Sequence, residues 1–561
     1  MPSTPPPTLS QPARIVAIPS AMAAKNSGLE KVAAHHLEDT LGHGAIVEAK
    51  NATDEEHAQT FFQALGANRK AVFWSMVISL SIVMEGYDTL LVPNFMGYPE
   101  FRKKYGQDFG GELGWQVSGP WQTGLSMAST VGAIFGGFIN GYMVTKFGYR
   151  WVMIGGMVFL NAFIFVVFFA KDAGVLLVGQ ILCGLAWGVF ATIGPAYASE
   201  VCPTNLRGYL TMYVNMCWAI GQLIAAGVLY ALVDRPDEWA YRIPFALQWL
   251  WPTPLILAIY FAPESPWYLA RKDRLDDARR SINRLGWNKS TEQINSQLSM
   301  MVHTIKLEAE LEAGTRYIDC FRGVDLRRTE ICCLAFAGQI LSGSTFAYSP
   351  SYFFVTAGMS EDRAYQLNIG GTSIAFVGTM LSWWLITYFG RRTLYLAGQA
   401  ILFVALLVIG SANAGSSTPS SLWAQSGFCI FWLFVYSLTV GPLTYAIISE
   451  TSSIRLRALT VSLARVAYQL TNIVSQVLES YFMNPTEWNL SGKTAYFWAA
   501  TCVCTLAWAY FRLPEAKGRT YGELDVLFAN GVSARKFATT EVDIFAASQQ
   551  VEVEEDKETG K

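Results

Sequence analysis

Twelve runs of about twenty apolar residues divide this chain, at roughly 71–95, 121–144, 151–170, 174–197, 209–232, 244–262, 330–353, 365–387, 393–413, 422–448, 458–481 and 493–512. A helix needs ~20 predominantly apolar residues to cross a ~30 Å hydrocarbon core, so the chain is expected to cross a bilayer twelve times. The runs follow one plan used twice. Thr145-x-Phe147-Gly148-x-Arg150 recurs as Thr387-x-Phe389-Gly390-x-Arg392, and Ser199-Glu200-x6-Arg207 recurs as Ser449-Glu450-x6-Arg457, with Pro195 and Pro442 upstream of the Ser-Glu pairs. Many secondary transporters are duplicated membrane halves that hold their substrate where the halves meet.

The expected fold is therefore all-α and integral to the membrane, with twelve transmembrane helices in two six-helix bundles. Its parts are an N-terminal tail (1–70), a first bundle (71–262), a helical linker (263–329), a second bundle (330–512) and a C-terminal tail (513–561). At 52% apolar and 15% charged residues, the chain cannot hide its hydrophobic surface in a water-soluble domain. A net charge of −2 with no basic block gives no sign of nucleic-acid binding. With both termini in the cytosol, the inner loops hold 19 Lys and Arg against 8 in the outer loops, the sense of the positive-inside rule.

Residues 1–70 have no apolar run resembling a signal peptide, so the first span is expected to do the targeting. The tail 529–561, ending in VEVEEDKETGK, reads as acidic and disordered. The linker stretches 274–286 and 292–312 have helical periodicity and mixed charge, which fits either a solvated linker or a latch that touches both halves when the cytosolic gate closes. Nine cysteines show no CxxC spacing and suit apolar packing rather than metal or disulfide. All five histidines lie outside the spans, which excludes histidine as an intramembrane proton carrier.

Glu85 and Asp88 are two acids inside the first span. Each costs ~2.5–3.5 kcal/mol on insertion scales, so an intramembrane acid calls for a function. Their i,i+3 spacing puts both on one face, and Gly86 between them weakens the helix. Burial and a neighbouring carboxylate both favour the protonated form, which suits a proton carrier. At the cytosolic ends, Glu200 and Glu450 can be reached by Arg150, Arg207, Arg392 and Arg457. Such pairs could close a gate or only fix topology.

Gly86-Tyr87-Asp88, the two FGxR turns, the two Ser-Glu-x6-Arg sets, PESPWYL (263–269) and PEAKGRTYGELDVLF (514–528) occur in order at matching topological positions. In this the chain resembles the sugar porter family of the major facilitator superfamily over roughly residues 70–528. EGYDT (85–89), VPNFMGYPEFRKKYG (92–106), GQILCGLAWGVF (179–190) and Trp267 resemble the fungal α-glucoside (maltose-type) permeases. The resemblance implies alternating access between two bundles and proton–sugar symport.

It also implies site residues, with departures. Where the family has an arginine opposite Asp88, this chain has Gln180, at the same depth and expected to hydrogen-bond Asp88. The family's sugar-contact glutamine aligns with Asn215, and its span-eleven asparagine with Asn472. Gln222 and Arg465 lie two turns from these on the same faces. Arg465 is unusual for the family and could replace the charge missing at position 180, through water, sugar or the Glu85/Asp88 pair. Span seven offers Gln339, Ser342, Gly343 and Thr345. The rings of Tyr348, Tyr352, Trp383, Trp384, Tyr445 and Tyr468 could form an aromatic platform for a neutral polyol.

The function implied is a plasma-membrane proton symporter importing α-glucosides such as maltose. Its partners are a small sugar, protons and the lipid bilayer, without cofactor, metal or covalent chemistry. No GxxxxGK[ST] loop is present, so an ion gradient supplies the energy. Export or import of a fungal secondary metabolite or glycosylated product, and a non-transporting sugar sensor, are the alternatives.

Overall fold

The structure is a computed structural model that describes residues 14–16, 61–110, 114–202, 204–312, 316–348, 350–356, 358–414, 419–452, 456–517, 519 and 521–543. Twelve long helices cross the molecule. Those of the first bundle run Arg69–Phe95, Gly119–Phe147, Tyr149–Phe168, Ala173–Val201, Thr204–Leu232 and Trp239–Tyr260. Those of the second run Gly323–Ala347, Glu361–Tyr388, Arg391–Ala414, Pro419–Thr451, Arg457–Met483 and Thr494–Arg512. Ten are long and apolar enough to span a membrane by composition alone. The two that are not are the last: span eleven, which carries Arg465 and Glu479, and span twelve, whose run is diluted by Thr, Tyr and Trp. Both pack among the others, span eleven against spans seven and two and span twelve against span nine.

Small residues set the closest contacts, as expected where lipid offers no hydrophobic drive between helices. A Cβ on Gly132, Gly136, Gly184 or Gly188 would lie within 2.3 Å of a carbonyl oxygen of the facing helix, so spans two and four touch backbone to backbone. Gly86 does the same against Trp218 of span five, where a Cβ would come within 2.2 Å of the carbonyl oxygen. Its role is close packing; the helix runs unbroken through it. Span seven is interrupted instead. Its helix ends at Leu341, Gly343 takes a left-handed φ of +93°, and short helices resume at Ser344 and Pro350. Span ten breaks at Thr439.

The linker forms helices Pro266–Arg271, Leu275–Leu285 and Thr291–Glu312 around a small core of Leu269, Ile282, Leu298 and Met301. Arg271 bonds Glu200 and Arg284 the Phe261 carbonyl, both of the first bundle, and the Trp287 amide bonds the carbonyl of Ala67, just before that bundle.

The C-terminal tail departs from the disorder expected of it. Through residue 543 it folds back on the second bundle. Helix Tyr521–Ala529 is followed by a turn at Ala534–Lys536. Arg327 donates to the Val532 carbonyl at 2.8 Å and lies over Phe528 and Phe537. Strand Glu541–Asp543 pairs in parallel with Arg14–Val16, tying the two ends of the chain together. The acidic residues from 544 onward lie outside the described residues.

Candidate functional site

A cavity of about 510 Å³ lies between the bundles. Toward the face that carries the linker and both FGxR turns it extends to Ser449, Glu450 and Arg391. At the opposite face the bundles meet in polar contacts. Asn94 accepts from Tyr365 through its carbonyl (2.5 Å) and from Asn368 through its side chain (3.4 Å), and Asn484 donates to Gln122 at 2.7 Å. Arg102 pairs with Glu361 at 2.9 Å. Among the described residues no hydrogen bond or salt bridge joins the bundles at the linker face. The molecule is therefore closed at one face and open toward the other.

Asp88 sits in the wall of this cavity, 1% exposed. Two N–H groups fix its carboxylate: the Trp187 indole at 3.0 Å and the Gln248 amide at 2.7 Å. Gln180 stands beside Asp88 as expected and interacts with its carboxylate, the contact looser than those of Trp187 and Gln248, and it does not line the cavity. Trp187 lies two turns beyond Gln180 on the same face, and Gln248 comes from span six. Sequence reasoning missed both. A lone polar residue in FALQWLW was the available signal for Gln248.

Glu85 lines the cavity with Arg465 facing it. Their charges interact across the gap, at a distance beyond a direct salt bridge. Arg465 therefore balances Glu85 rather than filling in for position 180 beside Asp88. Its guanidinium lies 5.9 Å from the Phe336 ring centroid and 5.3 Å from that of Tyr468, a cation–π cradle.

The other sequence candidates divide by wall. Asn215 and Gln222 line the first-bundle side, and Gln339, Thr345, Tyr445, Tyr468 and Asn472 the second. Several are already engaged: Gln339 donates to the Gly441 carbonyl at 2.7 Å, and Thr345 shares a 2.6 Å bond with Ser475. Asn472 reaches across to Thr130 at 3.5 Å. Tyr348 and Tyr352 face the cavity as expected of a platform, with Trp218 and Tyr436 added. Trp383 and Trp384 do not belong to it. Trp384 is 60% exposed on the outer surface, where it packs on Tyr388, because the cavity-facing stripe of span eight runs through Thr372, Ala375 and Thr379.

The linker-face motifs make different pairs from those expected. Glu200 binds Arg271 (2.8 Å), the Tyr149 hydroxyl (3.0 Å) and the Ser265 hydroxyl. Arg150 is not its partner and stacks between Trp151 and Tyr260. Glu450 takes Arg391 side-on, accepting from its Nε and Nη2 with the closest N–O distance 2.9 Å. Arg392 instead donates to the Tyr510 carbonyl at 2.8 Å. The side chains of Arg207 and Arg457 lie outside the described residues. Glu264 and Glu515, from the PES and PEA motifs, each accept the two backbone N–H groups that open the next helix. Glu264 takes Tyr149 and Arg150 at 3.0 and 3.2 Å, and Glu515 takes Arg391 and Arg392 at 2.8 and 3.0 Å. Burial raises the Glu264 carboxyl above its ordinary range, and those N–H bonds pull it back.

Comparison with known proteins agrees with this architecture. Residues 74–528 match the family described as "Sugar (and other) transporter". The chain is 39% identical over 516 residues to the maltose permease MAL31 of Saccharomyces cerevisiae, covering 91% of this chain and 84% of that one. It is 39% identical over 507 residues to the general alpha-glucoside permease of the same yeast, covering 89% and 82%. The MFS proton:xylose symporter XylE bound to 6-bromo-6-deoxy-D-glucose superimposes with a TM-score of 0.66 at 20% identity, covering 82% of this chain and all of that one. An inward-open conformation of XylE from E. coli gives 0.61 at 19% identity, over 81% of this chain and 98% of that one. These two structures speak for the fold, and the yeast permeases for the family. With residues 74–528 matching its model and the yeast permeases 39% identical over most of both chains, the chain belongs to the sugar transporter family.

Proposed function

We propose that this protein imports α-glucosides such as maltose together with protons, in the plasma membrane and with both termini in the cytosol. The observation that carries the reading is the composition of the cavity wall. A buried carboxylate, Asp88, shares it with neutral hydrogen-bonding side chains and aromatic rings, the combination a neutral sugar needs. The volume suits a ligand larger than one pyranose ring, within the ~300–1,000 Å³ usual for small-molecule sites. The names of the yeast relatives supply the substrate class.

In this reading the linker face is cytosolic and the structure is inward-facing. Asp88 takes a proton while the cavity opens outward. An ionised carboxylate sealed in a dry site costs several kcal/mol, so the loaded, neutral form is the one that crosses the closed state. When the cytosolic end admits water the proton leaves, and the Trp187 and Gln248 N–H groups steady the anion left behind. The sugar leaves by the same opening. One elementary charge moved through 100 mV supplies ~2.3 kcal/mol, and a pH gradient adds to it.

The test is a panel of radiolabelled sugars offered to a host stripped of its own transporters. Maltose or another α-glucoside should accumulate above the outside concentration, and a protonophore should collapse that accumulation to equilibrium. Accumulation of monosaccharides alone, or uptake that a protonophore leaves uphill, would overturn the assignment.

A further inference from the structure

Span eleven carries a second buried acid that the transport cycle above does not use. Glu479 is 7% exposed and lies in the cavity wall, nearly four turns from Arg465 along the same helix, or about 21 Å at 1.5 Å per residue. Its Oε2 accepts from the Trp498 indole at 2.8 Å. Its Oε1 has no protein partner and is not sealed from the cavity, and no basic side chain among the described residues pairs with it. One turn earlier on the same face, Gln476 also lines the cavity, and its Oε1 is buried without a partner. Two cavity-lining side chains one turn apart thus each keep an acceptor with nothing to accept from. Buried acceptors left so are uncommon and ask for a ligand.

The repeat sets this arrangement beside that of Asp88. Trp498 stands 250 residues after Gln248, the offset that relates Glu200 to Glu450. In each bundle the last helix therefore presents an N–H at the same repeat position to a buried carboxylate in the cavity wall.

We propose that Glu479 and Gln476 form a second sugar subsite, toward the outer end of the cavity, that accepts from two neighbouring hydroxyls of the substrate. A vicinal diol offers two adjacent O–H donors that acceptors converging from side chains one helical turn apart can both take, and it is neutral. The Trp498 bond holds the carboxylate in place, so little freedom is lost on binding. Asn472, two turns from Glu479, marks the level at which the other ring sits. The subsite rests on the sugar-transport reading and deepens it, since a substrate that reaches both levels needs two rings.

The experiment measures binding of maltose and of its single-deoxy analogues to the purified full-length protein, wild type and variants, by competition against radiolabelled maltose. Failure of the wild type to bind any of these sugars would refute the transport reading and this inference with it. If the wild type binds, one or two deoxy analogues should bind about tenfold more weakly than maltose. Glu479→Ala should bind maltose about tenfold more weakly and should no longer distinguish those same analogues, a thermodynamic cycle that locates the contact. Glu479→Gln keeps an oxygen for Trp498 and guards against misfolding; it should show a partial loss in the same analogues. Equal losses for every analogue in wild type and variants would overturn the subsite. So would a Glu479→Gln variant whose sugar profile is unchanged while its proton-to-sugar ratio falls, which would make Glu479 a proton site instead.

Discussion

Arg465 brings a positive charge to a cavity wall where Glu85 faces it, so neither can be removed alone without leaving the other uncompensated. A buried charge that loses its partner costs ~3–5 kcal/mol. Arg465→Leu is therefore expected to cut the initial rate of uptake at least tenfold in cells with normal surface expression. Adding Glu85→Gln to it should restore part of that loss, and a double variant as poor as the sum of the two singles would show that the charges are not coupled. Gln180→Arg would set its charge beside Asp88, away from Glu85, and should rescue nothing. Asp88→Asn separates transport from coupling: uphill accumulation should vanish while sugar exchange in counterflow persists, and normal accumulation would remove Asp88 from the proton path. At this scale the sequence was informative about charge and poor about partners. Two acids and an arginine in apolar runs are visible to anyone counting, because the bilayer makes each one costly. Which N–H reaches Asp88 depends on Trp187 and Gln248, 99 and 160 residues away, and no local pattern encodes that.

The two FGxR turns show what a repeat reveals about an element and what it conceals. Both glycines were legible as tight-turn residues, and Gly148 does take a positive φ of 86°. Gly390 does not, and the shared requirement is different. A Cβ on Gly148 would lie 2.6 Å from a Glu264 carboxylate oxygen, and one on Gly390 2.1 Å from Glu515, so each glycine clears room for the acid that caps the following helix. Gly390→Ala should therefore lower the melting temperature of the detergent-solubilised protein by several degrees, in keeping with the ~1–3 kcal/mol cost of overpacking. Gly141→Ala, where nothing lies within 4 Å, should leave it nearly unchanged. An equal response at both positions would reduce Gly390 to an ordinary helix boundary. Glu264 adds a pH signature. Its raised pKa means that the folded chain holds this proton more tightly than the unfolded one. Its contribution to stability is complete below the ordinary carboxylate value of 4.5 and is lost as pH rises through the folded value. Glu264→Gln should flatten that part of the stability–pH curve, and an unchanged slope would assign it to another group. Glu200 and Glu450 also bind Arg271 and Arg391, partners outside the Ser-Glu-x6-Arg spacing that only the folded chain brings near.

Across the whole molecule, the twelve runs and their duplication were enough to foresee two bundles with a site between them, because length and apolarity fix how often a chain crosses a bilayer. They carry no information on which face is open, since that depends on the balance of contacts at the two ends. Here the balance is uneven. One face holds Asn94 with Tyr365 and Asn368, Gln122 with Asn484, and Arg102 with Glu361, all joining the bundles. The ion pairs at the linker face, Glu200 with Arg271 and Glu450 with Arg391, each stay on their own bundle's side and do not cross the opening. They can persist while that face is open, so breaking one of them should not by itself reopen or close it. The cross-bundle contacts should control the equilibrium instead. Arg102 and Glu361 are partly buried, at 16% and 34% side-chain exposure, so their pair is worth more than the ~1 kcal/mol of a fully solvated one, and Glu361→Gln leaves Arg102 without its counter-charge. Asn484→Ala removes the bridge to Gln122 and to the Val117 carbonyl together. The double variant should populate the outward-open form. The measurement is labelling of a cysteine placed at Ser126, which lines the cavity beneath these contacts, by an impermeant thiol reagent added outside intact cells. Labelling should be slow in the otherwise unaltered chain and several-fold faster in the double variant, and maltose should slow it again by closing the cavity around itself. Equal labelling rates would mean that the closed face is held by packing of Tyr98, Tyr365 and their neighbours rather than by these polar contacts.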